Sequence, residues 1–177
     1  MSSIFNQIKY PYPIKFVKVK DFDLAYIDEG ISESVLLFVH GLGSYIKAWN
    51  KNIPELKKHF RCIALDLPGY GKSSKQIHNG SVSFYVGILN EFIAKLNLKN
   101  VSLVGHSMGG EITIAYTIKY PDQISNLILI APAVFEIFST AAFLTPVNSS
   151  FRAISERIFS SVIFSAANFL IPEYSAY

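Results

Sequence analysis

LVGHSMGGE, residues 103–111, carries an apolar run into a helical one through a serine flanked by glycines, and its reading decides the fold. Gly105, His106, Ser107, Met108 and Gly109 fit the pattern G-x-S-x-G, and the pattern sits where it has meaning, between the strand-like VSLV (101–104) and a helix. A turn this sharp holds the serine in a strained conformation, and the small residues on either side let strand and helix approach closely. The hydroxyl is thereby lifted clear of the backbone at a helix N-terminus, where the partial positive charge favours a developing anion. Ser107 is the expected nucleophile of such an elbow.

Outward from the elbow, apolar runs and helical periods alternate. VLLFV (35–39), CIAL (62–65) and LILI (127–130) are apolar without interruption, as strands of a parallel sheet covered on both faces must be. Before them, IKFVKVK and FDLAYID alternate apolar and polar residues around Asp21 to Asp23, which predicts an antiparallel hairpin. Val82, Tyr85, Val86, Leu89, Ile93 and Leu96 recur at helical spacing, and a second helix starts after Ser107, carries Ile112, Ala115, Tyr116 and Ile118, and stops before Pro121. The expected class is α/β, a mostly parallel sheet with helices on both faces and an N-terminal hairpin.

Composition narrows the function classes. The 177 residues suit one domain with a substantial core. The 16 basic and 13 acidic residues, net +3, are scattered, so no nucleic-acid partner is expected. Cys62 is alone in the apolar stretch RCIAL and reads as a buried strand residue, without a disulfide or a CxxC pair. The N-terminus has no apolar segment of signal-peptide length, so a cytoplasmic location is expected. Beyond residue 123 the only charges are Glu136, Arg152, Glu156, Arg157 and Glu173. The run 127–147 there is about long enough to span a bilayer, but Pro132, Glu136 and Pro146 interrupt it.

Two further glycine motifs mislead. HGLGSYI follows a strand, yet Ile46 stands where the last glycine of a dinucleotide fingerprint must be. GYGKSS ends like a phosphate loop, but Asp66 replaces its first glycine and would repel phosphate. No organic cofactor and no metal is expected.

HGLGSYIKAW, LDLPGYGKSS, GHSMGG and YPDQISNLILIAPA, in this order, resemble the α/β-hydrolase fold superfamily from about residue 16 to about residue 133. The resemblance implies a serine hydrolase, esterase-like or lipase-like, that transfers an acyl group from a carboxylic ester or related small carbonyl substrate through Ser107. It implies an oxyanion hole made by the backbone N–H groups of Leu42 and Met108, supported by His40, Gly41, Gly105 and Gly109. His40 reads as structural, Asp66 and Ser73 as turn and capping residues, Trp49 as a packing anchor, and Glu111 as solvated or capping. The serine argues against the branches that place aspartate at the elbow.

In this fold the acid and the histidine follow the serine. After Ser107 the acids are Glu111, Asp122, Glu136, Glu156 and Glu173, and there is no histidine after His106. Asp122 falls at the wrong end of its strand, and Glu136 sits where a lid would begin, so the triad acid is unassigned and the triad histidine is missing. The side chain of His106 is expected to face away from the attack, because neighbours at a tight elbow point apart. Residues 1–133 are read as an incomplete hydrolase core and 134–177 as lid helices. The chain is then a fragment, a frameshifted product or one piece of a split protein, its strand LILI left as an open edge prone to self-association. The alternatives are a non-catalytic, hydrolase-like binding protein and a lipase-like protein whose apolar lid docks on a membrane.

Overall fold

A computed structural model of the chain describes residues 8–133 and the two-residue strand Ile163–Phe164. The alternating N-terminal stretches form β1 (Lys15–Val19) and β2 (Phe22–Glu29), paired antiparallel from Lys15 opposite Tyr26 to Val19 opposite Phe22. The four apolar runs are β3 (Val35–Val39), β4 (Arg61–Leu65), β5 (Val101–His106) and β6 (Ile124–Ile130). With β7 (Ile163–Phe164) they make one sheet of order β1-β2-β4-β3-β5-β6-β7. Pairing is parallel from β4 to β7 and antiparallel where β2 joins β4.

Alternation of side chains explains why these strands must be apolar throughout. Val35, Leu37 and Val39 of β3, Ile63 and Leu65 of β4, Leu103 of β5, and Leu127 and Leu129 of β6 enter one core. Their neighbours Leu36, Phe38, Cys62, Ala64, Val104 and Ile130 enter a second core on the opposite face. Helices α2 (Val82–Lys95) and α3 (Met108–Lys119) cover the first. Ser81 caps α2 by accepting the Phe84 N–H at 3.1 Å, and the Tyr116 hydroxyl ties α3 to Asn90 of α2 at 3.3 Å. The opposite face is covered by the N-terminal segment around Tyr10, Tyr12 and Ile14, a 3-10 turn at Ile46–Trp49 and the one-turn helix α1 (Ile53–Leu56). Neither short element is legible in the sequence, because a single turn leaves no period to read.

Trp49 is the packing anchor expected, 4% exposed with its ring 5.0 Å from that of Phe38. Cys62 is fully buried, and burial pushes its thiol up to about 11, which leaves it unreactive at neutral pH. The expectation of an open edge at LILI is corrected in part: Ile128 and Leu129 of β6 pair with Ile163 and Phe164. The lid helices expected over 134–177 otherwise lie outside the described residues. Among the described residues no helix is long and apolar enough to cross a membrane.

Because β3 lies between β4 and β5, the three loops leaving their carboxyl ends meet at one place above the sheet.

Candidate functional site

Ser107 sits between β5 and α3 with φ 52° and ψ −121°, a backbone conformation that costs a non-glycine residue on the order of 1–3 kcal/mol. Four backbone hydrogen bonds hold it there. Its N–H donates to the Ile130 carbonyl at 3.1 Å, while its carbonyl accepts from Gly110 at 2.8 Å, Ala133 at 3.0 Å and Glu111 at 3.3 Å. The glycines permit the approach. A Cβ on Gly105 would lie 2.6 Å from the Gly109 carbonyl oxygen, and one on Gly109 would overlap the Val39 carbonyl. A Cβ on Gly41 would lie 2.9 Å from that of Ser107, so the loop after β3 rests directly against the elbow. Among the described residues neither the Leu42 nor the Met108 amide has a hydrogen-bond acceptor. The Leu42 side chain is 75% exposed.

His40 and Asp66 clasp the two loops beside this elbow to one another. The imidazole of His40, fully buried, accepts the Leu67 N–H on Nε2 at 3.0 Å and donates from Nδ1 to the Gly41 carbonyl at 2.8 Å. In return the buried Asp66 carboxylate reaches back across. Its Oδ1 accepts the Ile46 N–H at 2.8 Å, and its Oδ2 accepts the Lys72 N–H at 2.7 Å and the Tyr10 hydroxyl at 2.6 Å. Ser73 extends the tie to the hairpin, donating to the Asp66 carbonyl and accepting the Ala25 N–H at 2.8 Å. The Lys75 ammonium closes the same loop from outside on the carbonyls of Tyr70, Gly71 and Ser73. Sequence reasoning placed Asp66 and Ser73 in a turn but missed Tyr10, a tyrosine 56 residues away with no motif around it.

These contacts fix what each histidine can do. Both ring nitrogens of His40 are engaged, so it is a strut in the neutral form. The ring of His106 lies edge-on to Trp49 at 6.5 Å. His78 stacks on Phe84 at 4.6 Å and accepts the Gly80 N–H on Nδ1, and His59 is exposed. None of the four is hydrogen-bonded to Ser107. Of the acids, Asp122 is exposed at the far end of the sheet, where β6 begins. Glu111 corrects the sequence reading: it is 7% exposed, buried in the first turn of α3 rather than solvated. Glu136, Glu156 and Glu173 lie outside the described residues. No group of three or more His, Cys, Asp or Glu that could hold a metal occurs among the described residues.

Burial holds the His40 pKa below the ordinary imidazole value, and burial lowers that of His106 as well. An unfolded histidine takes up a proton below about pH 6.5, whereas buried His40 does not until lower pH. Between those values the unfolded chain binds more protons, so stability rises with pH through the window and is lost on acidification. We expect unfolding free energy to fall as the pH is lowered below about 6.5, and His40→Gln to flatten that fall. Denaturant titrations at several pH values measure it, and identical slopes for the two proteins would refute the assignment.

The family model for the alpha/beta hydrolase fold matches residues 34–170. A 2-hydroxy-6-oxononadienedioate/2-hydroxy-6-oxononatrienedioate hydrolase of Pseudomonas putida is 33% identical over 124 residues, 65% of this chain and 44% of its own. Two solved structures, each 32% identical over 68% of this chain, are a bacterial membrane phospholipase A, with a TM-score of 0.66 over 40% of its length, and a putative lipase from Acinetobacter baumannii, with 0.65 over 42%. The chain spans less than half the length of the curated relatives it matches. The strained serine between β5 and α3, the sheet order and the extent of the family match lead to one conclusion: this chain belongs to the α/β-hydrolase fold family.

Proposed function

We propose that Ser107 is the nucleophile of a serine hydrolase that transfers the acyl group of a carboxylic ester or related carbonyl compound to water. The observation that carries this reading is the strained backbone of Ser107 between β5 and α3, which four backbone hydrogen bonds maintain. Attack by Oγ moves negative charge onto the former carbonyl oxygen. The N–H groups of Leu42 and Met108 are suited to receive it, and one such donor contributes about 3 kcal/mol to the transition state. The Oγ proton must leave during attack. Both nitrogens of His40 are engaged and no other imidazole is hydrogen-bonded to Ser107, so none of the four histidines is bonded to take that proton. The relatives named as hydrolase, phospholipase and lipase support the reaction class.

The same lack of a base favours a second reading, in which the 177 residues bind without turnover. Fluorophosphonate labelling with and without added imidazole separates the two. A free imidazole can take the Oγ proton as the serine attacks phosphorus and fluoride departs. We expect peptide mapping to show the adduct on Ser107 only when imidazole is present, and none in Ser107→Ala. An unlabelled Ser107 at every imidazole concentration would leave the binding reading and remove the nucleophile.

A further inference from the structure

The N-terminal segment Lys9-Tyr10-Pro11-Tyr12-Pro13-Ile14 runs across the second core, with Tyr10, Tyr12 and Ile14 packed on it. Its two prolines fix their own φ and bias Tyr10 and Tyr12 toward extended backbone. The segment is therefore a stiff strap whose alternate side chains face the sheet. The Lys57 ammonium lies 4.9 Å over the ring of Tyr12, fastening the middle of the strap. At its end the ring of Tyr10 stands edge-on to Tyr45 at 6.0 Å and beneath the Lys72 ammonium at 5.5 Å, and its hydroxyl donates to Asp66.

We propose that Tyr10 is a positioning residue for the Ser107 site: its phenol completes the donors around the Asp66 carboxylate and so fixes the turn that follows the Leu42 loop. The carboxylate is fully buried and has two backbone donors besides Tyr10, one from each loop flanking the elbow. A buried charge short of a donor is costly, so the three bonds stand or fall together. Ile46, held by Oδ1, opens the 3-10 turn that ends at Trp49, four residues beyond the amide of Leu42 at its start. An N-terminal tyrosine thus sets the placement of a proposed oxyanion donor, and the inference rests on that reading of Leu42. The phenol pKa is raised, first by burial and then by the Asp66 charge, in keeping with a hydroxyl that remains a donor.

Hydrogen exchange on the whole chain tests it. In Tyr10→Phe the ring stays and only the bond is lost. Exchange of the Ile46 and Lys72 amides should quicken about ten-fold or more, the size expected for one hydrogen bond to a charged acceptor. Strand amides of Phe38 and Val104 should not change. Trp49 is the only tryptophan, and its emission should shift to the red as the turn loosens. In an Asp66→Asn background, where the acceptor is already impaired, adding Tyr10→Phe should change these amides little. The proposal is overturned if Tyr10→Phe matches the parent at Ile46 and Lys72 while only Tyr10→Ala differs, if exchange rises equally in the central strands, or if the two substitutions add independently. Exchange requires no turnover, so an unlabelled Ser107 would sink the nucleophile and leave this result standing, and the reverse holds as well.

Discussion

The purified 177-residue chain and its Ser107→Ala variant are expected to hydrolyse p-nitrophenyl acetate at the same rate. Without an imidazole hydrogen-bonded to it, the Ser107 hydroxyl is expected to be a weak nucleophile near neutral pH. Where the cost has been measured in one serine protease, losing serine or histidine lowers turnover about a million-fold, with roughly a thousand-fold over water left to the oxyanion hole and binding. The residual rate then falls within what surface lysines and histidines give by slow acylation, which is why the serine variant is the control. A parent many-fold faster than Ser107→Ala would mean that a base exists within the chain. His106→Ala would then decide, because both nitrogens of His40 are committed to Leu67 and Gly41. Loss of the excess rate in His106→Ala would assign the base to the elbow itself.

What the sequence disclosed and what it hid follow a physical division. The strands were legible because a sheet covered on both faces needs continuous apolar runs, as in VLLFV, whose five residues are all buried. Ser107 was legible because the elbow's steric demands fall on neighbouring residues, Gly105 and Gly109, at fixed spacing. Asp66 was visible as a loop residue but not as the acceptor for Tyr10, Ile46 and Lys72, since those donors converge only after β4 has been placed beside β3. Glu111 misled for a related reason. A carboxylate in a helix's first turn ordinarily faces solvent and complements the dipole, whereas here the turn itself is packed against the elbow. The partial edge of β6 escaped notice because β7 is only two residues long, too short to carry a strand signal.

Gly109→Ala should destabilise the protein while Gly87→Ala stabilises it, although intrinsic propensity predicts the same sign for both. Each glycine lies inside a helix, Gly87 in α2 and Gly109 in the first turn of α3. Replacing a helical glycine with alanine is worth about 0.5–1 kcal/mol when nothing obstructs the new methyl. At Gly87 the nearest atom to an added Cβ is the Lys20 ammonium nitrogen at 3.2 Å. That is the free end of a side chain 44% exposed, and it can swing aside with loss of little more than a 3.7 Å contact to Glu91. At Gly109 the obstacle is backbone. The Cβ would overlap the Val39 carbonyl and lie 2.6 Å from the His40 carbonyl, so α3 would have to move away from β3. Such a shift drags Ser107 with it and disturbs the hydrogen bonds that hold its strained turn. Overpacking costs about 1–3 kcal/mol and occasionally more, and an obstacle that is backbone places Gly109→Ala at the upper end, about 3 kcal/mol. For a chain of this length 1 kcal/mol moves the unfolding temperature by roughly 2–4 °C. Thermal unfolding should therefore place Gly87→Ala about 1–4 °C above the parent and Gly109→Ala about 6–12 °C below it, or unfolded outright. A Gly109→Ala protein as stable as the parent would show that α3 stands farther from β3 than the elbow requires, and the close approach that presents Ser107 would have to be given up.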